Sequence, residues 1–249
     1  MQADIFDRNA RRHAAIRAAR ADPGNQWLLH RMADELIDRL DSVKAPLTTA
    51  LIIGRCGGYI AEKLAERGIS SSHFEAEEDG LSLALPPAYC DLIVSCGTLD
   101  SVNDLPGALV QIRRTLKLGG LFLGAFTGAG SLAMLKDLFT QAQYTVCGNA
   151  APRVHPQIDV RAAGDLLTRA GFDVPVADQD HIKVRYDRLL SLVADLRAMG
   201  WSNCLVSRQT LHRATYDAAC QEFAVAAADD GKVEERMCPI YLTGWGPLI

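Results

Sequence analysis

Four stretches of the 249-residue sequence place side chains capable of chemistry beside flexible backbone. The first is Ile53-Gly54-Arg55-Cys56-Gly57-Gly58. Glycines there let a chain turn tightly and approach a bound ligand, and a helix N-terminus just beyond offers free N–H groups to it. The motif is neither a GxGxxG fingerprint nor a P-loop, because no Gly-Lys-Ser/Thr follows. A ligand loop and a plain strand-to-helix turn both remain open on these residues alone. The second stretch is Glu75-Ala76-Glu77-Glu78-Asp79, either a carboxylate that grips a ribose hydroxyl pair or a solvated acidic turn. The third runs from Cys96 through Gly97, Thr98, Leu99, Asp100 and Ser101 to Pro106. Helix capping by Asp104, with Pro106 just inside the helix, accounts for residues 103–106 but not for 96–101. The fourth is Arg153-Val154-His155-Pro156, an anion or carboxylate contact or else a solvated loop.

Other chemistries find no support. The six histidines include no pair at i+3 or i+4, the seven cysteines include no CxxC, and no G-x-S-x-G elbow occurs. No metal ion, zinc site or disulfide framework is expected. Irregularly spaced free thiols fit a reducing, cytoplasmic compartment.

The elements that must position these residues read as an alternation of strands and helices. Residues 5–20 and 27–40 carry helical apolar stripes on either side of Asp22-Pro23-Gly24. Residues 48–53 form an apolar run without alternation, the pattern of a strand covered on both faces. A helix over 59–67 follows, ending at Gly68. Further strands are expected at 73–76, 91–95, 121–126, 180–186 and 240–245, and helices at 105–116, 131–139, 160–170, 189–199 and 208–227. Lys117-Leu118-Gly119-Gly120 reads as a helix stop. The pattern predicts an α/β fold, a mostly parallel sheet with helices on both faces. One domain over 1–249 is expected, with N-terminal helices in 1–45, the sheet core in 46–186, and a helical lid and last strand in 187–249.

Composition bounds the function. Hydrophobic residues make up 49% of the chain, enough for a sizeable core, and the net charge is -4. No basic field is available for a phosphate backbone, so nucleic acid is excluded as a partner. No run of about 18 apolar residues predicts a membrane span. The N-terminal twenty residues lack the apolar centre of a secretory signal.

The order of elements and several phrases resemble class I methyltransferases of the BioC-like group, and within it the complex I assembly-factor branch. The likeness is carried by Ile5-Phe6-Asp7-Arg8, Ala50 to Ala61, Cys90 to Ser95, and Val102 to Leu109. It continues in Leu118-Gly119-Gly120, His155-Pro156, Asp159-Val160-Arg161, Leu166 to Phe172, Asp195 to Gly200, Ser202-Asn203, and Tyr241 to Trp245. The resemblance implies a Rossmann-like class I methyltransferase fold and S-adenosylmethionine as cofactor. It also implies a protein partner such as an iron–sulfur respiratory subunit, on which the mitochondrial relative modifies an arginine by hydroxylation. By the same resemblance Gly54, Cys56, Gly58, Glu77 and Cys96 would face the cofactor, and Arg8, Asp100, Arg153, His155 and Tyr241 the acceptor; no catalytic residue is assigned.

The sequence departs from that pattern. The family's first strand ends in an acid followed by Gly-x-Gly-x-Gly; here Ile52 stands at the acid and Cys56 at the middle glycine. A family His-Trp pair is Asp100-Ser101. Gly54 and Asp91 are only 37 positions apart. The family spends roughly twenty more there, and a parallel crossover through a helix needs about a dozen residues on its own. The sheet is therefore expected to be shortened between the first and fourth strands of a seven-stranded arrangement. Three functions follow: an S-adenosylmethionine-dependent methyltransferase-like enzyme, a non-catalytic homologue acting as an assembly factor or scaffold, or a binder of another small ligand.

Overall fold

The computed structural model describes residues 4–74 and 85–247. Its helices are α1 (Arg8–Ala18), α2 (Trp27–Asp38), α3 (Gly57–Glu66), α4 (Leu105–Thr115), α5 (Ala133–Cys147), α6 (Val160–Ala170), α7 (Leu189–Ala198) and α8 (Arg213–Val225). Its strands are β1 (Thr49–Gly54), β2 (Ser70–Phe74), β3 (Cys90–Cys96), β4 (Leu116–Thr127), β5 (Asp173–Gln179), β6 (Ile182–Tyr186), β7 (Val233–Met237) and β8 (Pro239–Trp245).

Local chemistry sets several boundaries. Asp7, Asp104 and Asp159 each cap a helix, accepting the N–H of Ala10 at 3.0 Å, Gly107 at 2.8 Å and Ala162 at 2.7 Å. Helix α6 stops at Gly171, whose φ of +83° suits a residue without Cβ. Helix α5 has no local cap, since Leu132 precedes it with no side-chain bond. Glu235 of β7 supplies one from a distance, accepting the Leu135 N–H at 2.8 Å and the Met134 N–H at 3.3 Å.

The chain folds into two compact units. One comprises Trp27–Ala129, Ile158–Asp180 and Pro239–Ile249; the other comprises Met1–Gln26, Gly130–Gln157 and His181–Cys238. The first holds a six-stranded sheet in the order β2-β1-β3-β4-β8-β5. Strands β2, β1, β3 and β4 run parallel, and β8 is antiparallel to both β4 and β5. On one face Leu51, Ile53, Ile93, Phe122, Phe126 and Leu242 pack with Leu109 and Ile112 of α4 and Leu167 of α6. Helices α2 and α3 lie against the sheet as well, α2 on β3 and β4, α3 on β1 and β2. Ile52, Val94 and Leu123, at alternate positions, are fully buried. The second unit contains α1, α5, α7, α8 and the two-stranded sheet β6–β7.

The parallel sheet with flanking helices is the expected one, and several details differ. Among the described residues the sheet has six strands, the shortening expected from the short span between β1 and β3. Lys117 to Gly120 does not stop a helix in loop; it opens β4 directly after α4. The turn is held by Gly119 N–H to Pro247 O at 2.8 Å and Gly246 N–H to Gly120 O at 2.7 Å. Residues 180–186 do not join the main sheet, because β6 pairs with β7. Strands β5 and β7 carry no sequence signal. The first is an exposed edge strand with Pro175 in it, and the second buries Glu235 where alternation would call for an apolar residue.

Candidate functional site

In the sheet unit the glycine turn sits at the carboxyl ends of β1 and β3, where open α/β sheets bind ligands. Gly54 has φ +99°, and a Cβ there would lie 2.7 Å from Cys96 O and 2.8 Å from Thr98 Cβ. Only glycine fits. Arg55 locks the turn to the next loop, its N–H donating to Cys96 O at 2.9 Å and its Nε to Gly97 O at 2.9 Å. Cys56 is held in the left-handed region at φ +59°, a conformation that costs a Cβ-bearing residue about 1–2 kcal/mol, and its side chain makes no cap bond to α3.

The space above this turn is filled from within the chain. A Cβ on Gly57 would come 2.5 Å from the His73 ring, so the imidazole lies directly on the first turn of α3. His73 Nε2 is 2.9 Å from Gly54 O. A carbonyl oxygen only accepts, so Nε2 carries the proton. Gly97 is covered in the same way, with Leu29 Cδ2 where a Cβ would stand. Gly58 alone among these glycines has nothing within 4 Å of that position among the described residues.

Around the turn lie polar groups of uneven satisfaction. Tyr59 donates to Asp34 Oδ1 at 2.7 Å and stacks on His30 at 4.5 Å; the bond to Asp34 pushes its phenol up to about 12. Neighbouring Cys56 and full burial hold the Cys96 thiol well above the usual range. Asp100 Oδ2 accepts from Thr127 Oγ1 at 2.7 Å, while Asp100 Oδ1 and Ser95 Oγ are buried without a hydrogen-bond partner among the described residues. Tyr241 is 2% exposed, and burial raises its phenol far above the ordinary value. Arg39 lies 4.8 Å above the Tyr241 ring and forks onto Asp178 through two 2.8 Å bonds.

In the other unit His155 is built into a local cluster. Its Nε2 accepts the Cys204 N–H at 3.1 Å with Cys204 Sγ 3.4 Å away, and its ring meets Phe6 edge-on at 5.1 Å. Arg153 donates to Gln143 Oε1 at 3.2 Å, Gln209 O at 2.6 Å and Thr210 O at 3.4 Å. Arg8 pairs on the surface with Asp4 at 3.6 Å.

A methyltransferase-domain family matches residues 59–124. The rat mitochondrial protein named arginine-hydroxylase NDUFAF5 is 32% identical over 267 residues, covering 97% of this chain and 77% of its own length. The chain belongs to the NDUFAF5 family. It is also similar to a malonyl-[acyl-carrier protein] O-methyltransferase of Xylella fastidiosa, 26% identical over 98% of this chain and 89% of the relative. The putative methyltransferase BH2331 of Bacillus halodurans shares the fold, with a TM-score of 0.56 at 11% identity over 85% of this chain and 98% of that structure. This NDUFAF5-family chain is thus methyltransferase-like with a Rossmann-like sheet.

The structure brings Gly54, Cys56, Gly58 and Cys96 together at one turn, with Asp100 and Tyr241 in the same unit. Arg8, Arg153 and His155 belong to the other unit. Glu77 lies outside the described residues. Sequence reasoning missed the covering residues His73 and Leu29 and the Tyr59–Asp34–His30 cluster. A histidine ending a run of three serines beside a glycine turn is the one signal that pointed to His73. Among the described residues no group of three His, Cys, Asp or Glu side chains could hold a metal ion, and no helix is long and apolar enough to cross a membrane.

Proposed function

We propose that this chain is a methyltransferase-fold assembly factor of the NDUFAF5 family whose glycine turn no longer holds S-adenosylmethionine. The observation that carries the reading is the His73 imidazole lying on Gly57 and bonded to Gly54 O. A cofactor stretched along the turn needs that surface bare. Two further departures act in the same direction. Ile52, at the family's acid position, is fully buried and offers no acceptor, and Cys56 places a Cβ on the turn. The residues present do not fit the nucleoside, so no chemical step is derived through it.

What remains is a binding role toward a protein partner; a cytoplasmic setting is part of this reading, although the NDUFAF5 relatives are named as mitochondrial. Asp100 Oδ1, buried and unpartnered, is an acceptor suited to a cationic side chain of that partner, and an arginine agrees with the relatives' name. Arg8, Arg153 and His155 are assigned in the same reading to acceptor contacts of their own unit, and buried Tyr241 to internal support of the sheet unit.

The competing reading is an active methyltransferase, in which Gly54, Cys56, Gly58, Glu77 and Cys96 bind cofactor. The open space at Gly58 and the retained positive φ of Gly54 favour it. Calorimetric titration with S-adenosylmethionine and S-adenosylhomocysteine separates the two. No heat and no thermal shift at about 1 mM ligand is expected; a dissociation constant near 10 μM would instead stabilise the fold by about 2.7 kcal/mol and overturn the proposal.

A further inference from the structure

An open cleft of about 1180 Å³ lies wholly within the unit that contains α1, α5, α7 and α8. Its lining combines two chemistries. Phe139, Leu196, Trp201 and Leu211 make an apolar wall, and Leu190 and Leu211 leave 53% and 40% of their surface in water at its edge. Arg17, Arg153 and Arg197 supply three guanidinium groups.

None of the three arginines meets a carboxylate among the described residues. Arg17 reaches only Ser202 Oγ, at 3.5 Å. Arg153 is bound by the neutral acceptors Gln143 Oε1, Gln209 O and Thr210 O, and burial pulls its guanidinium below the ordinary value. Asp22, the acid in the lining, has Oδ1 engaged by the Gly24 N–H at 2.9 Å. Trp201 adds a further donor, for its Nε1 is buried with no partner. A partly desolvated cation without a counterion is costly, and an indole N–H without an acceptor adds to that cost. Arg17 and Arg197 are exposed at the cleft while Arg153 is half-buried, and apolar side chains surround them.

We infer that the cleft is a binding site for a single-chain anionic amphiphile, its carboxylate or phosphate among Arg17, Arg153 and Arg197 and its apolar body against Phe139, Leu196 and Trp201. Guanidinium forks match either head group, and an apolar lining with a few placed polar groups is the usual arrangement for a small-molecule site. The inference is independent of the cofactor question, because every lining residue belongs to the unit without the glycine turn.

The test uses the full chain titrated below micelle concentration with oleate, with 1-oleoyl lysophosphatidate and with neutral monooleoylglycerol, followed by calorimetry and tryptophan fluorescence. Saturable one-to-one binding is expected for one or both anions, about tenfold or more tighter than for the neutral lipid and weakened by salt. The tighter anion identifies the head group. The double variant Arg17→Gln, Arg197→Gln, which removes no ion pair of the fold, should lose about tenfold for the anions and little for the neutral lipid, with an unchanged melting temperature. Trp201→Phe should abolish the fluorescence change while retaining the heat. Equal binding of anionic and neutral lipids, anion binding untouched by the double variant, or no saturable binding would each overturn the inference.

Discussion

His73 Nε2 lies 2.9 Å from Gly54 O, so a side chain from β2 closes over the turn that ends β1. The two strands are parallel neighbours in register, Ile52 beside His73 and Ile53 beside Phe74, which fixes where the imidazole can reach. The covering of the glycine turn is therefore a property of strand pairing and not of the turn itself.

That relationship predicts a coupling. Gly57→Ala puts a Cβ 2.5 Å from the exposed His73 ring and should destabilise the wild-type chain by about 0.5–1.5 kcal/mol by forcing the ring off its rotamer. In a His73→Ala background the same change should be near neutral, since alanine is the better helix former. A double-mutant cycle by urea denaturation should give a coupling of at least about 0.5 kcal/mol. Additive effects would place the imidazole elsewhere.

Asp91 anchors the beginning of the central strands. Its Oδ2 accepts from the backbone N–H and hydroxyl of both Thr48 and Thr49, at 2.8 to 3.2 Å, and Oδ1 accepts from Lys117 Nζ at 2.8 Å. Burial pushes its carboxyl up, but the bonds from Lys117, Thr48 and Thr49 outweigh this and hold it well below the usual range. A depressed carboxyl stabilises the fold fully above its unfolded value of about 3.9, and that contribution fades as pH falls through and below it. Asp91→Asn should cost about 1.5–3 kcal/mol at pH 7. Between about pH 5 and 3 the wild type should lose more stability than the variant; parallel pH profiles would refute the assignment.

Glu235 is 1% exposed and serves the α5 N-terminus from another strand. Replacing it with alanine takes the acceptor from three amide donors, those of Met134, Leu135 and Arg236, and should cost about 2–3 kcal/mol, whereas glutamine keeps an acceptor and should recover part of that. Thermal melts of the two variants check the order. A melting temperature for Glu235→Ala at or above that of Glu235→Gln would show that the carboxyl does not cap the helix.

Thiol reactivity should follow burial. Cys147 is exposed, Cys56 and Cys220 are intermediate, and Cys90, Cys96, Cys204 and Cys238 are buried. A thiol reagent at pH 8 should titrate Cys147 quickly and the four buried groups only after denaturation. Burial raises the Cys90 thiol to about 11, which slows it further. Rapid native labelling of Cys90 or Cys96, read by mass spectrometry, would contradict the packing of β3.

By itself the sequence determined the parts whose signals are local. The apolar run of β1 and the aspartate cap of α4 were legible because a helix end or a doubly covered strand needs nothing beyond its neighbours in the chain. The glycine turn and its departures were legible as well, since Ile52 and Cys56 are changes of residue type at fixed spacing. Tertiary structure alone decided what lies on that turn. His73 and Thr98 reach it from β2 and from the loop after β3, and no periodicity relates residues 19 and 44 positions away from Gly54. It also decided that Arg17, Arg153 and Arg197 line one cleft, because side chains far apart in sequence share a surface only once α1 and α7 have packed. Edge strands such as β5, half in water, carry too little apolar pattern to be read before a partner strand supplies their hydrogen bonds.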